Sequence, residues 1–101
     1  GYTEVVCAPK SVDVVRAASP SLVVRSWKRL SPDDFPPARA GHPVAYVLGP
    51  GFDAASKTCR DVAYAVLEAA RGPLVVDGGA LATLATKKGR TLARERFEAG
   101  R

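Results

Sequence analysis

Histidine is almost missing from this sequence. His42 is the only one, so no metal cluster built on several histidines can be assembled from these residues. Cysteine is nearly as scarce: Cys7 and Cys59, the two present, form no metal-ligand spacing and are too few for the disulfide framework of a small secreted domain. Both are expected as reduced thiols buried in apolar stretches. No apolar run approaches the roughly 20 residues of a membrane span. The opening Gly1-Tyr2-Thr3-Glu4 lacks the basic-then-apolar layout of a secretion signal. A cytoplasmic location without membrane contact is the expectation. Internal repeats and low-complexity tracts are absent as well.

What is present is a globular composition. With 47% hydrophobic and 25% charged residues the chain can bury a core, which argues against disorder. Its 101 residues make one domain or a piece of one. Because it begins at Gly1 and strand character sets in within the first few residues, a fragment of a larger domain is expected. The net charge of +5 suits a phosphate-bearing partner, and it is concentrated late, at Lys87, Lys88, Arg90, Arg94, Arg96 and Arg101. On a helix such a run is first of all a solvated face. Nucleic acid is the sharper reading and is disfavoured, because no aromatic residues interleave with these bases to stack on nucleotides.

Two apolar runs organise the rest. Val44-Ala45-Tyr46-Val47-Leu48 runs into Gly49-Pro50-Gly51-Phe52-Asp53, and Pro73-Leu74-Val75-Val76 runs into Asp77-Gly78-Gly79-Ala80-Leu81. Each reads as a buried parallel strand, and the stretch between them predicts a helix capped by Asp53 or Ser56 and running to about Ala70. Its apolar stripe is Cys59, Val62, Ala63, Val66, Leu67 and Ala70, and Arg71, a left-handed Gly72 and Pro73 would end it. Upstream, Tyr2 to Ala8 predicts a strand, Ser11 an N-cap for a helix over 12–18 that Pro20 stops, and Leu22 to Trp27 a second strand. Lys28 to Pro43 reads as a surface loop, its Asp33-Asp34 as turn chemistry. Leu84, Leu92 and Phe97 suggest one or two helical pieces interrupted near Gly89. The fold class is therefore α/β with a mainly parallel sheet.

In a strand-helix-strand crossover both strands point the same way, so both glycine turns fall at one carboxyl edge, where open α/β folds bind ligands. Gly49 and Gly51 bracket Pro50 in a turn that is stiff yet open, and glycine there lets a ligand approach the main chain. The free N–H groups of the next helix favour an anion. A tight turn without a ligand explains the same residues equally well. Asp77 can bond a ligand hydroxyl, hold a cation through water or cap the next helix. Asp77-Gly78 as a hairpin turn would need a following strand, which Ala80 to Ala85 does not resemble.

At these two turns the chain resembles the ADP/ATP-dependent NAD(P)H-hydrate dehydratases, a ribokinase-like family often labelled carbohydrate kinases. Gly49-Pro50-Gly51-Phe52, then Val75-Val76-Asp77 and Ala80-Leu81, match its two turn motifs, and Gly1 to Pro9 is similar to its opening strand. Asp53 departs from a third glycine, and Gly79 from a second aspartate. The resemblance implies a three-layer αβα ribokinase-like fold, with residues 1–101 as part of the domain. It also implies an ADP- or ATP-dependent lyase, assisted by Mg2+, that restores hydrated NADH or NADPH. Gly49, Gly51 and Asp77 would touch the substrate. The family's anion hole, catalytic aspartate and nucleotide motifs are not among these residues, so no catalytic or metal-binding residue is assigned and the segment alone is expected to be inactive. Its partner would be the remainder of its own polypeptide or another copy. Another ribokinase-like small-molecule kinase, or a non-catalytic basic module binding nucleotides or nucleic acid, are the alternatives.

Overall fold

Short apolar runs separated by helix-length segments have one economical pairing, side by side and parallel, and the chain adopts it twice. The computed structural model describes residues 3–28, 30–35, 41 and 43–100. His42, Pro36 and Pro37 of the expected loop, Tyr2 at the start of the expected opening strand and Arg101 of the basic run lie outside the described residues. Among the described residues there are four strands, four α-helices and three short 3-10 turns, in the order strand-helix-strand, strand-helix-strand, then two helices. The strands form two parallel pairs, each a separate two-stranded sheet. Two units are distinct, Gly1–Leu30 and Ser31–Arg101, with the boundary inside the stretch read as a loop.

In the first unit β1 (Glu4–Cys7) pairs with β2 (Val23–Ser26), Glu4 opposite Val23 and Cys7 opposite Ser26. The helix α1 (Val12–Ala18) connects them. Ser11 does not cap it. Ser11 has helical dihedrals at the end of a 3-10 turn, Pro9–Ser11, that feeds directly into α1, and its side chain makes no capping bond. Arg16 donates to the Val24 carbonyl at 3.2 Å, tying α1 to β2, and Glu4 pairs with Arg25 across the strands. Among the described residues of this unit only Val24 is buried, so its core is thin.

The second unit repeats the pattern with a fuller core. β3 (Tyr46–Leu48) and β4 (Leu74–Val76) pair in parallel, Tyr46 opposite Leu74 and Leu48 opposite Val76. Between them runs α2 (Lys57–Ala69), whose Ala63, Val66 and Leu67 are buried with Leu48, Ala70, Ala80 and Phe35. The Phe35 ring tilts against Tyr46, centroids 6.1 Å apart. These strands are not buried on both faces as expected. Tyr46, Leu48, Leu74 and Val76 are buried or half-buried, whereas the register partners Val47 and Val75 are exposed. The alternation is that of a sheet covered on one side.

Ser56, rather than Asp53, caps α2, its hydroxyl accepting from the Cys59 N–H at 3.2 Å. The exit also differs from expectation. Ala70 turns extended and Gly72 is not left-handed; glycine is needed there because a Cβ would stand 2.6 Å from the Val44 carbonyl oxygen. After β4 come α3 (Leu81–Leu84) and α4 (Lys87–Glu98). The break falls at Ala85-Thr86, not at Gly89, which lies inside α4, where a Cβ would meet the Thr83 carbonyl oxygen at 1.9 Å. Thr86 caps α4 by accepting from the Gly89 N–H, donates to the Thr83 carbonyl and meets the Tyr64 hydroxyl at 2.9 Å. Asp34 and Ser31 form a reciprocal capping box, so the Asp33-Asp34 segment is turn chemistry as expected.

Cys7 and Cys59 are free, as expected, but half-buried rather than buried. Native protein should therefore react at both thiols with a water-soluble maleimide without denaturant, more slowly than in urea. Complete protection of both thiols, or a disulfide between them, would contradict this environment.

Candidate functional site

The two glycine turns sit together at one sheet edge. Leu48 and Val76 are register partners, and the Asp77 N–H donates to the Leu48 carbonyl at 2.9 Å, so Gly49 and Asp77 leave their strands side by side. Gly49 has φ +114° and is buried. A Cβ on it would stand 1.9 Å from the Asp77 carbonyl oxygen and 2.6 Å from the Ala80 Cβ. Gly78, at φ +54°, reciprocates: its Cβ would come within 2.7 Å of the Gly49 oxygen. Gly79 faces Phe52, whose carbonyl oxygen would lie 2.0 Å from an added Cβ. The turns pack main chain on main chain.

That packing separates the three candidates. Gly49 is required by close approach within the fold. Gly51 is different, with φ +77° and open space on its Cβ side for at least 4 Å; its glycine answers to a left-handed turn closed by the Phe52 N–H to the Gly49 carbonyl at 2.9 Å. Asp77 is exposed, and its carboxylate accepts from the Gly78 N–H at 2.8 Å, opening the 3-10 turn Gly78–Ala80. The capping role is thus filled and no hairpin follows, since β4 runs parallel to β3 and leads into helix. Among the described residues there is no group of three or more His, Cys, Asp or Glu placed to hold a metal ion.

Gly79 and Asp53 each have a local physical reason. An aspartate at 79 would drive its Cβ into the Phe52 carbonyl, so the glycine belongs to the turn-on-turn contact. Asp53 accepts from the Ala55 N–H at 2.9 Å and stiffens the approach to α2. Lys57 and Arg60 flank the first turn of α2. Lys57 donates to Asp61 at 2.8 Å, and this bond, with smaller support from the charges of Lys57, Arg60 and Lys88 and against a desolvation effect, holds the Asp61 carboxyl below its ordinary value.

One residue counted in the basic run does something else entirely. Arg96 is 5% exposed. Its guanidinium donates to the carbonyls of Leu67 at 3.1 Å, Gly72 at 2.9 Å and Ala70. It therefore closes the carboxyl end of α2, where carbonyls lack helical partners and the dipole favours a cation. The signal was in the sequence: Gly89, Leu92 and Arg96 fall on one helical face, so that face runs inward. Lys88 stays exposed but lies over an aromatic ring, its Nζ 4.6 Å from the Tyr64 centroid.

No family model, no curated protein and no solved structure matches the chain. No helix among the described residues is long and apolar enough to cross a membrane.

Proposed function

We propose that the paired turns belong to the substrate platform of an ADP- or ATP-dependent NAD(P)H-hydrate dehydratase, within a three-layer ribokinase-like domain of which this chain forms part. The observation that supports the reading is the meeting of two glycine turns at the carboxyl ends of paired parallel strands, the edge where open α/β sheets bind nucleotides. The open turn at Gly51 would let hydrated NADH or NADPH lie against the main chain, and Asp77 would shape the neighbouring floor. In that reaction a phosphoryl group passes from ADP or ATP to the hydrate's hydroxyl, and loss of phosphate restores the nicotinamide ring. The residues described here bind and orient. They include no metal-holding cluster, so no step through Mg2+ is assigned to them.

The test compares wild type, Gly51→Ala and Gly51→Val for thermal stability and for affinity toward hydrated NADPH. Both variants carry left-handed strain at φ +77°, about 1–2 kcal/mol for alanine and more for β-branched valine, and only valine adds branched bulk above the turn. The expected result is that both remain folded, valine the less stable, with affinity clearly lower, tenfold or so (about 1.4 kcal/mol), in folded Gly51→Val than in Gly51→Ala. Absence of binding by wild type, or equal binding by wild type and Gly51→Val, would overturn the assignment.

A further inference from the structure

The exposed side of α4 carries groups that neither the core nor the paired turns use. Helical spacing places Lys87, Arg90 and Arg94 on one side, and brings Phe97 beside them, three residues beyond Arg94 and seven beyond Arg90. All four are exposed, Phe97 at 84%. A phenylalanine so bare does not hold the helix in place. The helix is held from its other side, where Gly89 and Arg96 are buried. Arg90 is tethered to the Ala85 carbonyl, whereas no ion pair between described residues engages Lys87 or Arg94. Glu98 is the one carboxylate ending that face.

Charge complementarity selects the partner. A net charge of +5 with three cations spread over about 10 Å of helix, at about 1.5 Å per residue, calls for a polyanion of repeating charge. The bare ring adds a second requirement, a flat apolar surface to lie on. Single-stranded nucleic acid supplies both on one chain, phosphates for the cations and bases for the ring. An acidic peptide supplies only the first, and a duplex hides its base faces. The sequence-based argument against nucleic acid rested on the lack of an aromatic among the bases; Phe97, grouped there with the apolar helix positions, proves to be exposed next to them.

We propose that this face of α4 binds single-stranded nucleic acid without sequence preference, with Lys87, Arg90 and Arg94 along the phosphates and Phe97 stacked on a base. The experiment is fluorescence anisotropy of a labelled mixed-sequence oligonucleotide titrated with the chain between 50 and 200 mM salt. Three phosphate contacts predict a slope of log affinity against log salt of about −2, and Arg94→Ala should reduce its magnitude by about 0.7. Phe97→Ala should weaken binding roughly fivefold or more at an unchanged slope, while thermal unfolding stays as in wild type. Absence of binding at 50 mM salt, wild-type affinity in Phe97→Ala, or an unchanged slope in Arg94→Ala would overturn the proposal. So would equal displacement of the oligonucleotide by polyglutamate or by duplex DNA, which would assign the face to polyanions at large.

Discussion

Gly49→Ala is expected to destabilise the protein by about 3 kcal/mol or more, a large part of the 5–15 kcal/mol that holds a typical domain together. Two costs add. A non-glycine residue at φ +114° is strained by about 1–3 kcal/mol. The new Cβ would also stand 1.9 Å from a backbone oxygen and 2.6 Å from the Ala80 Cβ, neither the far end of a flexible side chain, so the paired turns must separate, which overpacking experience puts at about 1–3 kcal/mol. Gly51→Ala is the control, because it shares the positive φ with no crowding and should cost only about 1–2 kcal/mol. Urea unfolding of the two variants beside wild type reads the difference. Equal midpoints for Gly49→Ala and Gly51→Ala would mean that the turns are not packed on each other.

Arg96→Met should cost about 3 kcal/mol or more, although it exchanges a charged side chain for an apolar one of similar length in a buried position. The guanidinium donates to three carbonyls at the end of α2 and in the turn toward β4. Losing it strands acceptors that are not replaced, each worth about 1–3 kcal/mol when buried. Arg96→Lys should recover little, since an ammonium on a longer flexible stem cannot reproduce the planar fork. Because Arg96 is shielded from solvent, the loss should be nearly the same at low and high salt. By contrast, the exposed Lys57–Asp61 pair is open to screening. Chemical denaturation of the three proteins at two salt concentrations is the measurement. Wild-type stability in Arg96→Met would show that the α2 terminus does not depend on this side chain.

Local chemistry determined the elements. The runs at Tyr46–Leu48 and Leu74–Val76, the helix between them and the β-branched runs around Val5 and Val24 are legible because side-chain periodicity and turn residues act over a few neighbours. The sharing of one edge by Gly49 and Asp77 follows as well, since a parallel crossover leaves no other place for the two turns. Tertiary structure decided what those residues are for. Nothing local distinguishes Gly49, pressed against the Asp77 carbonyl, from Gly51, facing open space; the difference lies in a contact almost thirty positions away along the chain. Gly89 looked like a helix break on propensity alone, yet it lies inside α4, and the close approach of the Thr83 carbonyl is what requires glycine there. Arg96 looked like solvated charge. It is buried because the open carbonyls of α2 need a donor, a demand that arises only once two helices distant in sequence have met.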